Sequence, residues 1–184
     1  MLGYERKMLN VQYRMHPSIS LFPNKEFYDG KLFDASVVGK ESYNKLFLEG
    51  EMYSSYSFIN IAKGKEQFGH GQSLKNMVEV AVISEIIKNL NEEEIFSLSI
   101  NYPLICLTIY CLWILGNAST LIKSDSVWSN VVLDAKKREC FHNAEEDEKL
   151  ARVIKKYVLF NYRLVEEFEP PFKKRNLGGK MGNR

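Results

Sequence analysis

No G-x-x-x-x-G-K-[ST] stretch occurs anywhere in the 184 residues. The Gly-Lys pairs at Gly30, Gly39, Gly64 and Gly179 lack the upstream glycine and the following Ser or Thr, so no backbone cradle of that type can form. No acidic pair follows an apolar strand. The three histidines, His16, His70 and His142, have no spacing that would build a catalytic triad. Cysteine is scarce: Cys106, Cys111 and Cys140 are odd in number, and two sit inside an apolar run. That favours packed, free thiols in a reducing compartment over a disulfide framework. Cys140 and His142 stand close together, but no second pair completes a zinc site, and no metal site is expected. A net charge of +2 is too small to argue for nucleic acid by itself. The start of the chain carries Glu5, Arg6 and Lys7 with no apolar core, unlike a signal peptide.

What is present reads as one ordinary globular domain, with 45% hydrophobic and 26% charged residues. Its densest chemistry comes early. Gln12, Tyr13, Arg14 and His16 lie just before Pro17, which suits the first turn of a helix. A guanidinium grips phosphate bidentately and a phenol ring offers a flat face to a base. The simpler reading of the same residues is a strand-to-helix turn with Arg14 in a surface ion pair.

Asp29-Gly30 marks a turn and Lys31 to Asp34 a short extended piece. Residues 35–56 read as loop with one short helix. Ser57 to Ala62 is rich in strand formers, and Lys63 to Gln72, with three glycines, reads as loop. Ser73 is expected to cap a helix to about Leu90, burying Leu74, Met77, Val78, Ala81, Val82 and the Ile86/Ile87 pair. From Ile95 to Ile122 no residue is charged. Leu104 to Leu115 fits a buried central strand of a parallel sheet, or else a membrane span. Pro103 and the bias toward strand formers favour the strand. Ser124 to Glu139 reads as a helix with Val127, Trp128, Val131, Val132 and Ala135 inward. Asn143 with Glu146 is a capping signal before a stripe of Leu150, Val153, Ile154, Tyr157 and Val158. Pro170-Pro171 stops the fold, and residues 170–184 form a basic tail expected to be disordered.

The run Gln12 to Tyr28, Q-Y-R-M-H-P-S-I-S-x-F-P-N-x-x-F-Y, resembles the motif that opens the second RecA-like domain of superfamily 1 helicases of the Upf-type and senataxin-like branch. Gln72 to Val80 resembles the same family, as does Cys111 to Asn117. The resemblance implies an α/β fold: a partial RecA-like (P-loop NTPase-like) second helicase domain with a truncated parallel sheet, over residues 1–169. It implies ATP-driven unwinding of RNA or DNA, with ATP and magnesium as cofactors, and a nuclear or cytoplasmic setting. By position, Arg14 falls where the family contacts the γ-phosphate and Tyr13 where it contacts adenine. Gln12 is their neighbour, and Glu79, with Asn76, is the other position to watch near the nucleotide.

Two departures bear on activity. Where the family has an arginine motif, this sequence reads Ile105-Cys106-Leu107-Thr108-Ile109-Tyr110, which keeps Leu-Thr and lacks both arginines. A glycine-containing block upstream is also missing, an apparent internal deletion at residues about 91–104. Walker A, Walker B and the magnesium ligands are not on this chain. The expectation is therefore a helicase fragment without ATP turnover of its own, able to act beside the first RecA domain of another helicase. The alternatives are a non-enzymatic binding fragment and a protein anchored to a membrane through residues 95–115.

Overall fold

The computed structural model describes residues 7–64, 66–68, 74–92 and 110–167. The chain enters through β1 (Val11–Gln12), and Pro17 opens α1 (Pro17–Phe27) at a position where an N–H would lack a helical partner. The expected turn follows. Asp29 (φ 53°) and Gly30 (φ 72°) occupy the left-handed region that Asp and Gly tolerate. The Asn24 amide closes the turn, donating to the Leu32 carbonyl (2.7 Å) and accepting from its N–H (2.9 Å). β2 (Phe33–Asp34) thereby returns parallel to β1, with Val11 opposite Phe33 and Gln12 opposite Asp34. Between residues 35 and 56 the chain makes two single-turn 3₁₀ helices, Glu41–Tyr43 and Glu51–Tyr53, where one short helix is expected.

β3 (Tyr56–Asn60) is the middle of the main sheet and is buried over its first four residues. A two-residue antiparallel ladder, β4 (Gln67–Phe68) with β5 (Leu74–Lys75), replaces the end of the expected loop and the start of the expected helix. α2 (Met77–Glu92) therefore begins later than its periodicity suggests. Its cap is Asn76, whose Oδ1 accepts from the N–H groups of Val78 (3.1 Å) and Glu79 (3.4 Å). Ser73 lies outside the described residues. Val78, Ala81, Val82 and Ile86 are buried as expected, whereas Ile87 is 45% exposed because one further residue rotates it off the inward face.

β6 (Leu112–Gly116) leads into α3 (Ala118–Ile122), α4 (Val127–Lys137), β7 (Phe141–Asn143) and α5 (Glu148–Glu167). The sheet order is β6-β3-β7, parallel throughout. Among the described residues this leaves β6 at the edge of the sheet, where a central strand over Leu104 to Leu115 is expected. Residues 104–109 lie outside the described residues, and β6 flanks β3 with its side chains half-buried. An apolar run reports burial and carries no information on order within a sheet. Among the described residues, no helix is long and apolar enough to cross a membrane.

Helices cover both faces, as a parallel sheet requires. α2 and α5 bury Val78, Val82, Ile86, Leu150 and Ile154 against Ile59 and Ile61 on one side. α1 and α4 bury Ile19, Val131, Val132 and Ala135 against Tyr56 and Phe58 on the other. Trp128 does not join them: it is 49% exposed on the first turn of α4. Asn143 bonds to the Glu146 side chain (2.8 Å), but the cap of α5 is Asp147, whose Oδ1 accepts from Lys149 and Leu150 N–H. The tail at 170–184, and the apparent deletion from residue 93 onward, lie outside the described residues.

Candidate functional site

The turn between β1 and α1 is organised by Gln12, which is only 9% exposed. Its Oε1 accepts from Arg14 N–H (2.9 Å) and Met15 N–H (2.8 Å). Its Nε2 donates to the Met15 carbonyl (2.8 Å) and to Asp34 Oδ1 (2.5 Å). Asp34 Oδ1 also accepts from Ser20 Oγ (2.8 Å), so one amide and one carboxylate tie β1, β2 and α1 together. His16 caps α1: its Nδ1 accepts from Ser18 N–H (3.2 Å) and lies 2.6 Å from Ser18 Oγ. An accepting Nδ1 belongs to a neutral ring. Burial pushes the His16 pKa below its ordinary value, with Asp34 pulling the other way.

The two residues held by this scaffold face outward. Tyr13 is 67% exposed, and Arg14 is exposed with its carbonyl accepting from Tyr43 Oη at 3.4 Å. Neither side chain has a hydrogen-bond, ion-pair or ring partner among the described residues. Arg14 therefore does not form the surface ion pair that the simpler reading would give it. The arrangement offers a free guanidinium fork beside a free aromatic face, suited to a phosphate and a planar ring. Asp34 is the carboxylate bonded into this turn, tied to Gln12 and Ser20.

Glu79 does not join this group. The Arg14 turn lies at the amino ends of the sheet strands: Tyr43 touches Arg14, and Asn44 bonds Ser55 just before β3 (3.2 Å). Asn76 and Glu79 lie beyond the carboxyl end of β3, where a Cβ added at Gly64 would run into the Asn76 amide. Burial raises the Glu79 pKa, the Asn76 hydrogen bond lowers it, and Glu66 adds a smaller upward push. At the same edge Asn60 donates to Asn143 Oδ1 (3.0 Å) and accepts from Ala118 N–H (3.0 Å). Asn117 donates to the Ala62 carbonyl (3.2 Å), and Lys63 pairs with Glu145 at 2.5 Å. No local signal marks Asp34 as a hub, since its partners lie 22 and 14 residues away.

The AAA domain family profile matches residues 2–111, more than half of the chain. The chain belongs to that family, in its superfamily 1 helicase branch of Upf and senataxin type. Helicase SEN1 of Saccharomyces cerevisiae is 40% identical over 87 residues, which cover 45% of this chain and 4% of that protein. Probable helicase MAGATAMA 3 of Arabidopsis thaliana is 37% identical over 90 residues, 48% of this chain and 11% of that protein. A putative regulator of nonsense transcripts 1 from Takifugu rubripes is 31% identical over 48% of this chain and 8% of its own length. The matched stretch is thus a small part of each relative. The mixed α/β fold with its parallel sheet is that of a partial RecA-like domain.

Proposed function

We propose that the turn at residues 11–16 is one wall of an ATP site in a nucleic-acid helicase. Arg14 reaches the γ-phosphate, Tyr13 lies against the adenine, and Gln12 acts on the nucleotide by fixing the shape of the turn. What supports this most is the contrast between neighbours: Gln12 is fully bonded, and the Arg14 guanidinium beside it is left free. A free, always-charged fork on a pinned backbone is what stabilisation of a transferring phosphoryl group requires. Glu79, at the opposite edge of the sheet, stands outside this wall. RNA or DNA is the proposed partner, as the helicase relatives imply, in the nucleus or cytoplasm.

An arginine of this kind can be worth roughly 10³ to 10⁵ in rate, but only on a phosphate already held. This sequence has no G-x-x-x-x-G-K-[ST] cradle, and Ile109-Tyr110 stand where the family's second arginine motif would be. The cradle, its lysine and the magnesium ligands would come from a first RecA-like domain. The chain alone is therefore proposed not to turn over ATP. The test is ATP hydrolysis by the purified chain with single-stranded RNA, in wild type and Arg14→Ala. No turnover in either is expected, and RNA-stimulated hydrolysis that vanishes in the variant would overturn the reading.

A further inference from the structure

Behind the candidate turn, Arg138 joins three elements. Its Nη1 donates to Asp134 Oδ2 one helical turn back on α4 (3.0 Å), and both side chains are largely buried, at 16% and 14% exposure. Its Nη2 donates to the Ser18 carbonyl in the first turn of α1 (2.6 Å). Its guanidinium lies over the Tyr56 ring of β3, 4.5 Å from the centroid. Ser18 stands four residues past Arg14, and its own N–H and hydroxyl meet His16. The Tyr56 hydroxyl beside this cluster is the one buried side-chain polar atom without a partner among the described residues.

A cation at the end of α4 needs no such placement to complement the helix dipole, since Lys136 and Lys137 already stand there. A charge-assisted bond to a carbonyl 120 residues away does something else: it fixes where α1 starts. The start of α1 carries the Gln12–Asp34–Ser20 network, and that network sets the backbone of Arg14. We propose that Arg138, oriented by Asp134, is a positioning residue for Arg14, clamping α1 so that the free guanidinium is presented at one place to a triphosphate. The inference rests on the reading of Arg14 as a γ-phosphate contact. Arg138 touches no nucleotide itself; it acts through α1.

The experiment measures binding of ribose-labelled fluorescent ATP and ADP to the full chain, and takes the ATP-over-ADP affinity ratio. Arg14→Ala should lower that ratio about tenfold, the loss of one charge-assisted contact to phosphate. Arg138→Ala should lower it toward the same value while leaving ADP affinity unchanged, and the double variant should lose no more. Arg138→Lys, which keeps the charge and loses the fork, should fall between. A merely structural role would weaken ADP and ATP alike, or neither. If Arg138→Ala unfolds the chain, Asp134→Asn and Arg138→Lys make the same comparison in folded protein. A ratio that falls in Arg14→Ala and stays at the wild-type value in the Arg138 and Asp134 variants overturns the positioning role alone. A wild-type chain that does not prefer ATP over ADP overturns the reading of Arg14, and the positioning role with it.

Discussion

The two ends of the parallel sheet handle their polar side chains in opposite ways. At the carboxyl end, Asn60, Asn117, Asn143 and the Lys63–Glu145 pair bond to one another and to nearby backbone. At the amino end, Gln12, Asp34, Ser20 and His16 do the same, yet Tyr13 and Arg14 are held out of the network. A polar group that completes the fold cannot also meet a ligand without leaving something unpaired. The functional candidates are therefore the side chains the network surrounds and leaves alone.

The largest effect should come from Gln12→Leu. It leaves two backbone N–H groups and a carbonyl without their partner, takes one of two donors from Asp34, and is expected to destabilise by about 2–3 kcal/mol in urea unfolding. Asn60→Ala, at the opposite edge, loses one side-chain and one backbone partner in a more open setting. It should cost about 1 kcal/mol in the same assay. Equal losses at the two sites would erase the contrast in burial on which the comparison rests.

His16 sharpens the comparison through pH. Its folded pKa is lowered, so the unfolded chain takes up the proton more readily. Its contribution is fully present above the ordinary value of 6.5 and is lost as pH falls through the lowered folded value. Thermal melts below pH 6.5 should show a decline that is shallower in His16→Ala. An identical decline in the variant would remove His16 from the account. Glu79, with a raised pKa, has the opposite sign. Its contribution is greatest below 4.5 and is lost as pH rises, so Glu79→Gln should slightly stabilise the chain near neutral pH. The smallest stability change belongs to Arg14→Ala, expected within about 0.5 kcal/mol of wild type because its side chain has no described partner.

Much of this was legible in the residues. Pro17 marks the start of α1, Asp29-Gly30 the turn, and the Leu150 to Val158 stripe the inward face of α5, because each signal is local. Other features depend on residues far apart. Ser73 and Asn76 are both good caps, and only the β4–β5 pairing decides between them. Asn143 and Asp147 compete in the same way before α5. Ile87 sits one residue past the buried row of Val78, Val82 and Ile86, while Trp128 keeps the inward spacing of Val131, Val132 and Ala135 and is half-exposed in the first turn of α4. The apolar run ending at Leu115 could not disclose that β6 lies beside β3 as a flanking strand. At the candidate site, the motif picks out Gln12, Tyr13 and Arg14, while the division of labour among them needs the hydrogen bonds. Arg138 carries no signal at all until Ser18, 120 residues earlier, is seen against it.

The most direct measurement is the affinity of labelled ATP for wild type and Arg14→Ala, with each protein's melting temperature recorded in the same buffer. In Arg14→Ala the melting temperature should be unchanged and the affinity about tenfold weaker, since Arg14 holds no part of the fold and one charge-assisted bond is lost. An affinity that stays the same, or one that falls only together with the melting temperature, would contradict it.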